Sequence, residues 1–196
     1  MLLNTPNILT LLRIILIPLF IGAYYFVHPL AHMLTTAVFV LAALTDWLDG
    51  YIARLWEQTS PFGAFLDPVA DKLMVAAALV MLLADPRVHG LVIDTRLFSI
   101  VVLTIIGREI AVSALREWMA EVGKRSHMAV SLIGKTKTMA QMIAIPFLLW
   151  REPLWGLPIF QIGEVLLFLA AGLTLWSMLS YLKIAWPNLI HPEKNR

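Results

Sequence analysis

Six runs of apolar side chains, each long enough to cross a bilayer as a helix, follow one another with only short polar breaks between them. They fall near 6–27, 31–56, 61–84, 96–121, 129–150 and 156–186. A span needs about 20 helical residues, and in lipid the backbone must satisfy its own hydrogen bonds. The chain is therefore expected to be all-α, a polytopic membrane protein with six transmembrane helices. A mean hydropathy of +0.80, with 60% hydrophobic and 14% charged residues, excludes an ordinary soluble domain. No polar linker or fixed-period repeat divides the chain, so residues 1–196 read as a single integral-membrane domain. The first run reads as a retained span rather than a cleaved leader, because MLLNTPN carries no basic residue and Arg13 interrupts the apolar stretch. Thr5 or Asn4 before Pro6 suits a helix start, and Asp85-Pro86 suits a stop.

Six spans place both ends of the chain on one side, with the 2–3 and 4–5 connections. That side collects Arg13, Arg54, Lys72, Arg116, Lys124, Arg125, Lys135, Lys137, Lys183, Lys194 and Arg196, against Arg87, Arg96 and Arg151 opposite. The excess of positive charge puts both termini in the cytoplasm. Lys124 and Arg125 read as orientation determinants or headgroup contacts. Trp47, Trp56, Trp118, Trp150, Trp155 and Trp186 lie near expected helix ends, where indole rings favour the headgroup layer. With no cysteine, disulfides and thiolate chemistry are excluded, and a metal must rest on oxygen or histidine. His28, His32, His89, His127 and His191 show no ligand spacing, and the small net charge of +2 gives no reason to expect nucleic acid.

Residues 45–71, TDWLDGYIARLWEQTSPFGAFLDPVAD, hold four aspartates in this apolar chain. On a helix, Asp46, Asp49, Gly50 and Ala53 share one stripe, and Gly63, Asp67 and Asp71 recur every four residues along another. A hairpin of the second and third spans brings the two rows together. Each ionised carboxylate in hydrocarbon costs roughly 2.5–3.5 kcal/mol even on the lenient insertion scale, so a compensating charge is required. Arg54 and Lys72 are two cations against four anions. Carboxylates without His or Cys suit hard ions, Mg²⁺ or Mn²⁺, and four of them can hold two; such pairs assist displacement at phosphorus. The plainer alternatives are that Asp67 caps a helix beginning at Pro68, that Asp46 pairs with Arg13, and that Gly50 and Gly63 serve helix packing.

The full pattern, Asp46-x2-Asp49-Gly50-x2-Ala53-Arg54-x8-Gly63-x3-Asp67-x3-Asp71, resembles the signature of the CDP-alcohol phosphatidyltransferase family at every position. TPNILTLLR, GREIAVSALREWMAEVGKR and GKTKTMAQ extend the resemblance to a bacterial branch of that family. The resemblance implies transfer of the phosphatidyl group of CDP-diacylglycerol to sn-glycerol 3-phosphate, with release of CMP. It also implies that Asp46, Asp49, Asp67 and Asp71 hold two divalent cations and that Asp71 takes the proton of the incoming hydroxyl. Gly50, Ala53 and Gly63 would lie beside the cytidine and diphosphate, with Arg54 near the phosphates. A homodimer in the bacterial inner membrane, with its site facing the cytoplasm, is implied in the same way.

The acceptor in this reading is a small dianion and calls for Arg or Lys. The candidates are Arg108, Arg116, Lys135 and Lys137. Arg108 and Arg116, eight apart, lie roughly on one helix face, whereas Lys135 and Lys137, two apart, cannot both reach one phosphate. Glu109 or Glu117 pairing with one of these cations is the structural alternative. Asn7, Thr10 and Arg13 form a polar stripe that either hydrogen-bonds to neighbouring helices or lets Arg13 reach a motif aspartate or the donor. The competing functions are the same chemistry on inositol phosphate, serine or phosphatidylglycerol, and a cation or proton transporter relaying through its acids.

Overall fold

The structure, a computed structural model, describes residues 5–55, 61–122 and 132–190. Within those helices the side chains of 5–7, 49–55, 61–62, 64, 67, 132–135 and 187–189 lie outside the description. The described residues form seven helices: α1 (Thr5–Tyr25), α2 (Ala31–Leu55), α3 (Pro61–Ala84), α4 (Pro86–His89), α5 (Thr95–Glu121), α6 (Leu132–Trp150) and α7 (Ile159–Ile190). Six coincide with the expected spans to within a few residues at each end. Four, α1, α2, α5 and α7, are long and apolar enough to cross a membrane. Hydroxyl groups inside these helices turn back on their own backbone, as Thr35 does on the Ala31 carbonyl and Ser113 on that of Glu109, which spares lipid an unsatisfied polar atom.

The chain divides into two compact units, Met1–Val92 with Ile145–Gly163, and Ile93–Ala144 with Glu164–Arg196. In the first unit α1 packs against α2 and α3. Arg13 meets Asp46 and Phe20 meets Phe39, so α2 runs antiparallel to α1. Arg13 meets Asp71 at one end and Tyr24 meets Asp85 at the other, so α3 runs parallel to it. Fully buried Ala42, Ala70 and Ala78 permit the close approach that membrane helices use in place of a hydrophobic driving force. Large apolar side chains such as Ile15, Leu19 and Leu73 face outward instead.

In the second unit α5 and α7 run parallel, with Arg108 opposite Ser177 and Arg116 opposite Tyr181. Val112, Met119, Tyr181 and Ala185 form a buried cluster between them. Asp94 caps α5 by accepting the Leu97 N–H at 2.8 Å. The buried Glu164 of α7 accepts the Ile93 N–H at 3.0 Å, tying the start of α5 to its neighbour.

Three features depart from the sequence reading. Asp85 does not only end α3: its side chain accepts the Arg87 N–H at 2.9 Å and starts the one-turn helix α4, with Pro86 at its first position. Asp67 is not a helix cap, because α3 begins at Pro61 and continues through Pro68. The last span begins at Ile159 rather than 156, because Leu154–Leu157 closes as a tight turn with reciprocal backbone hydrogen bonds of 2.9 and 3.1 Å. Its central residues, Trp155 (φ 51°) and Gly156 (φ 78°), are both left-handed, as a type I′ turn requires. Trp155 is 91% exposed there, as an interfacial anchor would be.

Asp85 also organises one end of the first unit. Its carboxylate accepts from the Tyr24 hydroxyl at 2.9 Å and from Arg87 Nε and Nη2 at 3.1 and 3.0 Å, and lies 2.9 Å from Arg151 Nη2. The Arg151 guanidinium lies over the Tyr24 ring at 4.9 Å. Burial pushes the Asp85 acid up, but hydrogen bonds from Arg87 and Tyr24 and the charge of Arg151 outweigh it and hold the pKa at about 2. A depressed carboxyl stabilises the fold fully above its unfolded pKa of about 4 and loses that contribution as pH falls toward 2. The shift corresponds to about 2 kcal/mol. Asp85→Asn is accordingly expected to lower the melting temperature in detergent at pH 7, with the gap to the wild type closing below about pH 3. A gap that persists unchanged at pH 2 would show that the charge is not the stabilising element.

Candidate active site

The first and last acids of the motif come together. Asp46, in the second half of α2, and Asp71, in the first half of α3, flank a single nitrogen of Arg13 on α1: Nη1 lies 2.9 Å from Asp46 Oδ1 and donates to Asp71 Oδ1 at 2.7 Å. The helix period makes this possible, because Asp46 and Asp71 sit on the faces that α2 and α3 turn toward α1. Arg13 is buried, whereas the Asp46 and Asp71 side chains are 33% and 37% exposed. The carboxylates therefore open outward while their cation is sealed beneath them. One guanidinium charge set against two carboxylates leaves this oxygen-only donor set anionic, which suits a hard divalent cation. Of the expected polar stripe on α1, Thr10 and Arg13 are buried, and the contact to a motif aspartate is the alternative that holds for Arg13.

Gly63 is buried within α3. Asp49, Gly50, Ala53, Arg54 and Asp67 fall on helical backbone, as expected, but their side chains, with those of Asn7 and Lys135, lie outside the described residues. No group of three or more potential metal ligands occurs among the described residues.

The second unit carries a separate cationic cluster. Arg108 donates from Nη1 to Glu109 Oε1 at 3.0 Å and from Nη2 to Ser177 Oγ at 2.7 Å, and Ser177 in turn donates to the Thr174 carbonyl at 2.9 Å. Lys137, buried on α6, donates to the same Glu109 oxygen. Arg116 donates from Nη2 to the Tyr181 hydroxyl at 2.9 Å, and its guanidinium carbon lies 5.1 Å from the Tyr181 ring centroid. The structural alternative to acceptor binding, a pairing of Glu109 with a basic residue, is thus present for both Arg108 and Lys137. Three cations with one acid still leave two positive charges. The Nε atoms of Arg108 and Arg116 are buried with no hydrogen-bond partner among the described residues. A cleft of about 330 Å³ on α5 and α7, lined by Ala111, Val112, Leu115, Trp118, Met178 and Leu182 among others, is apolar and offers a charged acceptor nothing.

Sequence reading did not anticipate Ser177 or Tyr181. Their signal was present: Thr174, Ser177 and Tyr181, at offsets 0, 3 and 7, form a polar line on one face of an otherwise apolar helix.

The described residues thus define an all-helical protein with four helices able to cross a membrane, which gathers two carboxylates from two helices around one buried arginine and carries a second, cationic cluster in its other unit. The comparisons make the class specific. The sequence model of the CDP-alcohol phosphatidyltransferases matches residues 3–176, and the chain belongs to that family of transferases. It is 50% identical over 187 residues to the CDP-diacylglycerol--glycerol-3-phosphate 3-phosphatidyltransferase of Salmonella typhimurium, covering 95% of this chain and 97% of the relative. It is 51% identical over 190 residues to the protein of the same name from Yersinia pestis, covering 97% and 99%.

Proposed function

We propose that this chain transfers the phosphatidyl group of CDP-diacylglycerol to the primary hydroxyl of sn-glycerol 3-phosphate, giving phosphatidylglycerophosphate and CMP. Identity of about half over nearly the whole length, to relatives that bear the corresponding name, supports this donor and acceptor. The observation that carries the chemistry is the convergence of Asp46 and Asp71 on Arg13. It supports Asp46, Asp49, Asp67 and Asp71 as the residues that would hold two divalent cations, Mg²⁺ or Mn²⁺. Such ions, when bound, neutralise a diphosphate and its leaving group and align the attacking oxygen.

The chain's own residues do the rest. Asp71 takes the proton of the acceptor hydroxyl as that oxygen bonds to the phosphatidyl phosphorus and the bond to CMP breaks. Gly50, Ala53 and Gly63 give the cytidine and diphosphate room to approach the backbone, and Arg54 pairs with the phosphates. Arg108, Arg116 and one of Lys135 and Lys137 bind the acceptor phosphate. The excess of positive charge in that cluster supports an anion there, and the Nε atoms of both arginines lack a partner among the described residues, as those of other buried arginines do.

The six-span topology is part of the same reading. α3 runs parallel to α1 and meets it at both ends, which supports a crossing of the same thickness; α5 and α7 run parallel, which supports a return across the bilayer by α6, at 19 residues. The excess of Lys and Arg then favours cytoplasmic termini and a cytoplasm-facing site in a bacterial inner membrane. The family match runs across both compact units, which supports one integral domain, and a homodimer belongs to the same proposal.

The test is CMP release by detergent-purified protein with Mg²⁺, CDP-diacylglycerol and a panel of acceptors. Release with sn-glycerol 3-phosphate and not with serine, inositol phosphate or phosphatidylglycerol is expected; equal release without any acceptor would refute the assignment. Arg116→Gln is expected to raise the acceptor KM by about tenfold or more, as loss of a charged hydrogen bond does, and to leave the donor KM within about twofold. An effect confined to the donor would overturn its placement.

A further inference from the structure

We infer that Tyr181 is a positioning residue for the acceptor phosphate: it holds Arg116 in the orientation that receives the anion and keeps a hydroxyl hydrogen available to the same anion. The inference rests on Arg116 being an acceptor-binding residue.

An arginine on a membrane helix has a long, freely rotating side chain, and a guanidinium grips a phosphate well only when its fork is already aimed. Tyr181 constrains Arg116 in two independent ways. The phenolic oxygen accepts from Nη2 at 2.9 Å, which fixes one arm of the fork. The ring lies 5.1 Å from the guanidinium carbon, close enough for cation–π attraction, which fixes the plane. The ring itself cannot drift. It is 4% exposed and clamped in the cluster of Val112, Met119 and Ala185.

A phenylalanine would fill the same apolar cluster, and the hydroxyl spends only its lone pair on Arg116. A tyrosine hydroxyl is donor as well as acceptor, and among the described residues nothing accepts its hydrogen. Arg116 Nε is likewise buried and unpartnered. The cluster therefore holds two donors with no acceptor among the described residues, Arg116 Nε and the Tyr181 hydroxyl, around one cation. Those are the requirements of a phosphomonoester dianion. Arg108 is held differently, by Glu109 and Ser177, so the two arginines are steadied by separate devices.

The test is steady-state kinetics of the full-length enzyme in detergent with Mg²⁺, CDP-diacylglycerol and sn-glycerol 3-phosphate. Tyr181→Phe keeps the ring and removes the hydroxyl; the acceptor KM is expected to rise about tenfold, with kcat and the donor KM within about twofold. Arg116→Lys keeps the charge but loses the planar fork, and is expected to give a similar rise. In an Arg116→Gln background Tyr181→Phe should add less than about twofold, because its effect passes largely through Arg116. Parallel losses in kcat and both KM values in Tyr181→Phe, a full tenfold effect surviving in the Arg116→Gln background, or wild-type acceptor KM in Arg116→Lys would each overturn the inference. If Arg116→Gln alone leaves the acceptor KM unchanged, the acceptor assignment beneath it fails as well. A raised KM in Arg116→Gln with none in Tyr181→Phe removes only the positioning role.

Discussion

Asp71→Asn is expected to lower the rate of phosphatidyl transfer by about a thousandfold or more while the protein still inserts and folds. The substitution is nearly isosteric and removes the charge at the point where α3 meets Arg13. Two losses coincide there, a carboxylate that would hold a divalent cation and the group proposed to take the hydroxyl proton. Asp49→Asn removes only the former and is also expected to abolish turnover. Steady-state CMP release, with unfolding temperature measured alongside, separates loss of chemistry from loss of fold. Substantial turnover in a folded Asp71→Asn protein would remove this residue from the centre of the reaction.

The second large effect concerns Arg13. Its Nη1 stands between Asp46 and Asp71, 2.9 and 2.7 Å from their oxygens, and without it those carboxylates would face each other across the gap it fills. Removing one partner of a buried ionic group typically costs about 3–5 kcal/mol; the partial exposure of the two acids, 33% and 37%, places the effect toward the lower end. Arg13→Met is expected to melt many degrees below the wild type in EDTA, and divalent cation is expected to recover most of the difference. The ions would then supply the positive charge that the guanidinium no longer does. Equal melting temperatures of variant and wild type in EDTA would mean that Arg13 does not balance the acids.

The legible part of this protein is the part written in local spacing. Helices α1, α2, α3, α5, α6 and α7 follow from the length of their apolar runs, and the helical period sets Asp46 and Asp71 each on one stripe of its helix, but the meeting of both acids on Arg13 of α1, rather than directly across a hairpin of α2 and α3, was only one of the alternatives. What joins distant segments was not legible. Tyr24, Asp85 and Arg151 lie on three separate stretches and meet only once the first unit is packed; nothing in the sequence around any one of them names the other two. The pairing of Arg116 with Tyr181 is of the same kind, although the polar line on α7 marked which face to examine. Helix α4 escaped because a single turn leaves no periodicity to detect. The turn at 154–157 escaped because a bulky aromatic in the left-handed region, as at Trp155, runs against the local preference that sequence reading relies on. Between the two units, the acids are found in one and the excess of buried cations in the other, a division that residue spacing hints at only by keeping the four aspartates within residues 46–71.

The central proposal for this protein is that divalent cations lie among these acids and hold the donor diphosphate. The most direct measurement is anomalous diffraction from crystals grown with Mn²⁺ and CDP-diacylglycerol. Two manganese peaks are predicted within bonding distance, about 2.2 Å, of carboxylate oxygens from Asp46, Asp49, Asp67 and Asp71, with diphosphate oxygens completing their coordination. Donor density over an acidic cleft with no manganese signal, or aspartates turned toward opposite sides of the membrane, would contradict it.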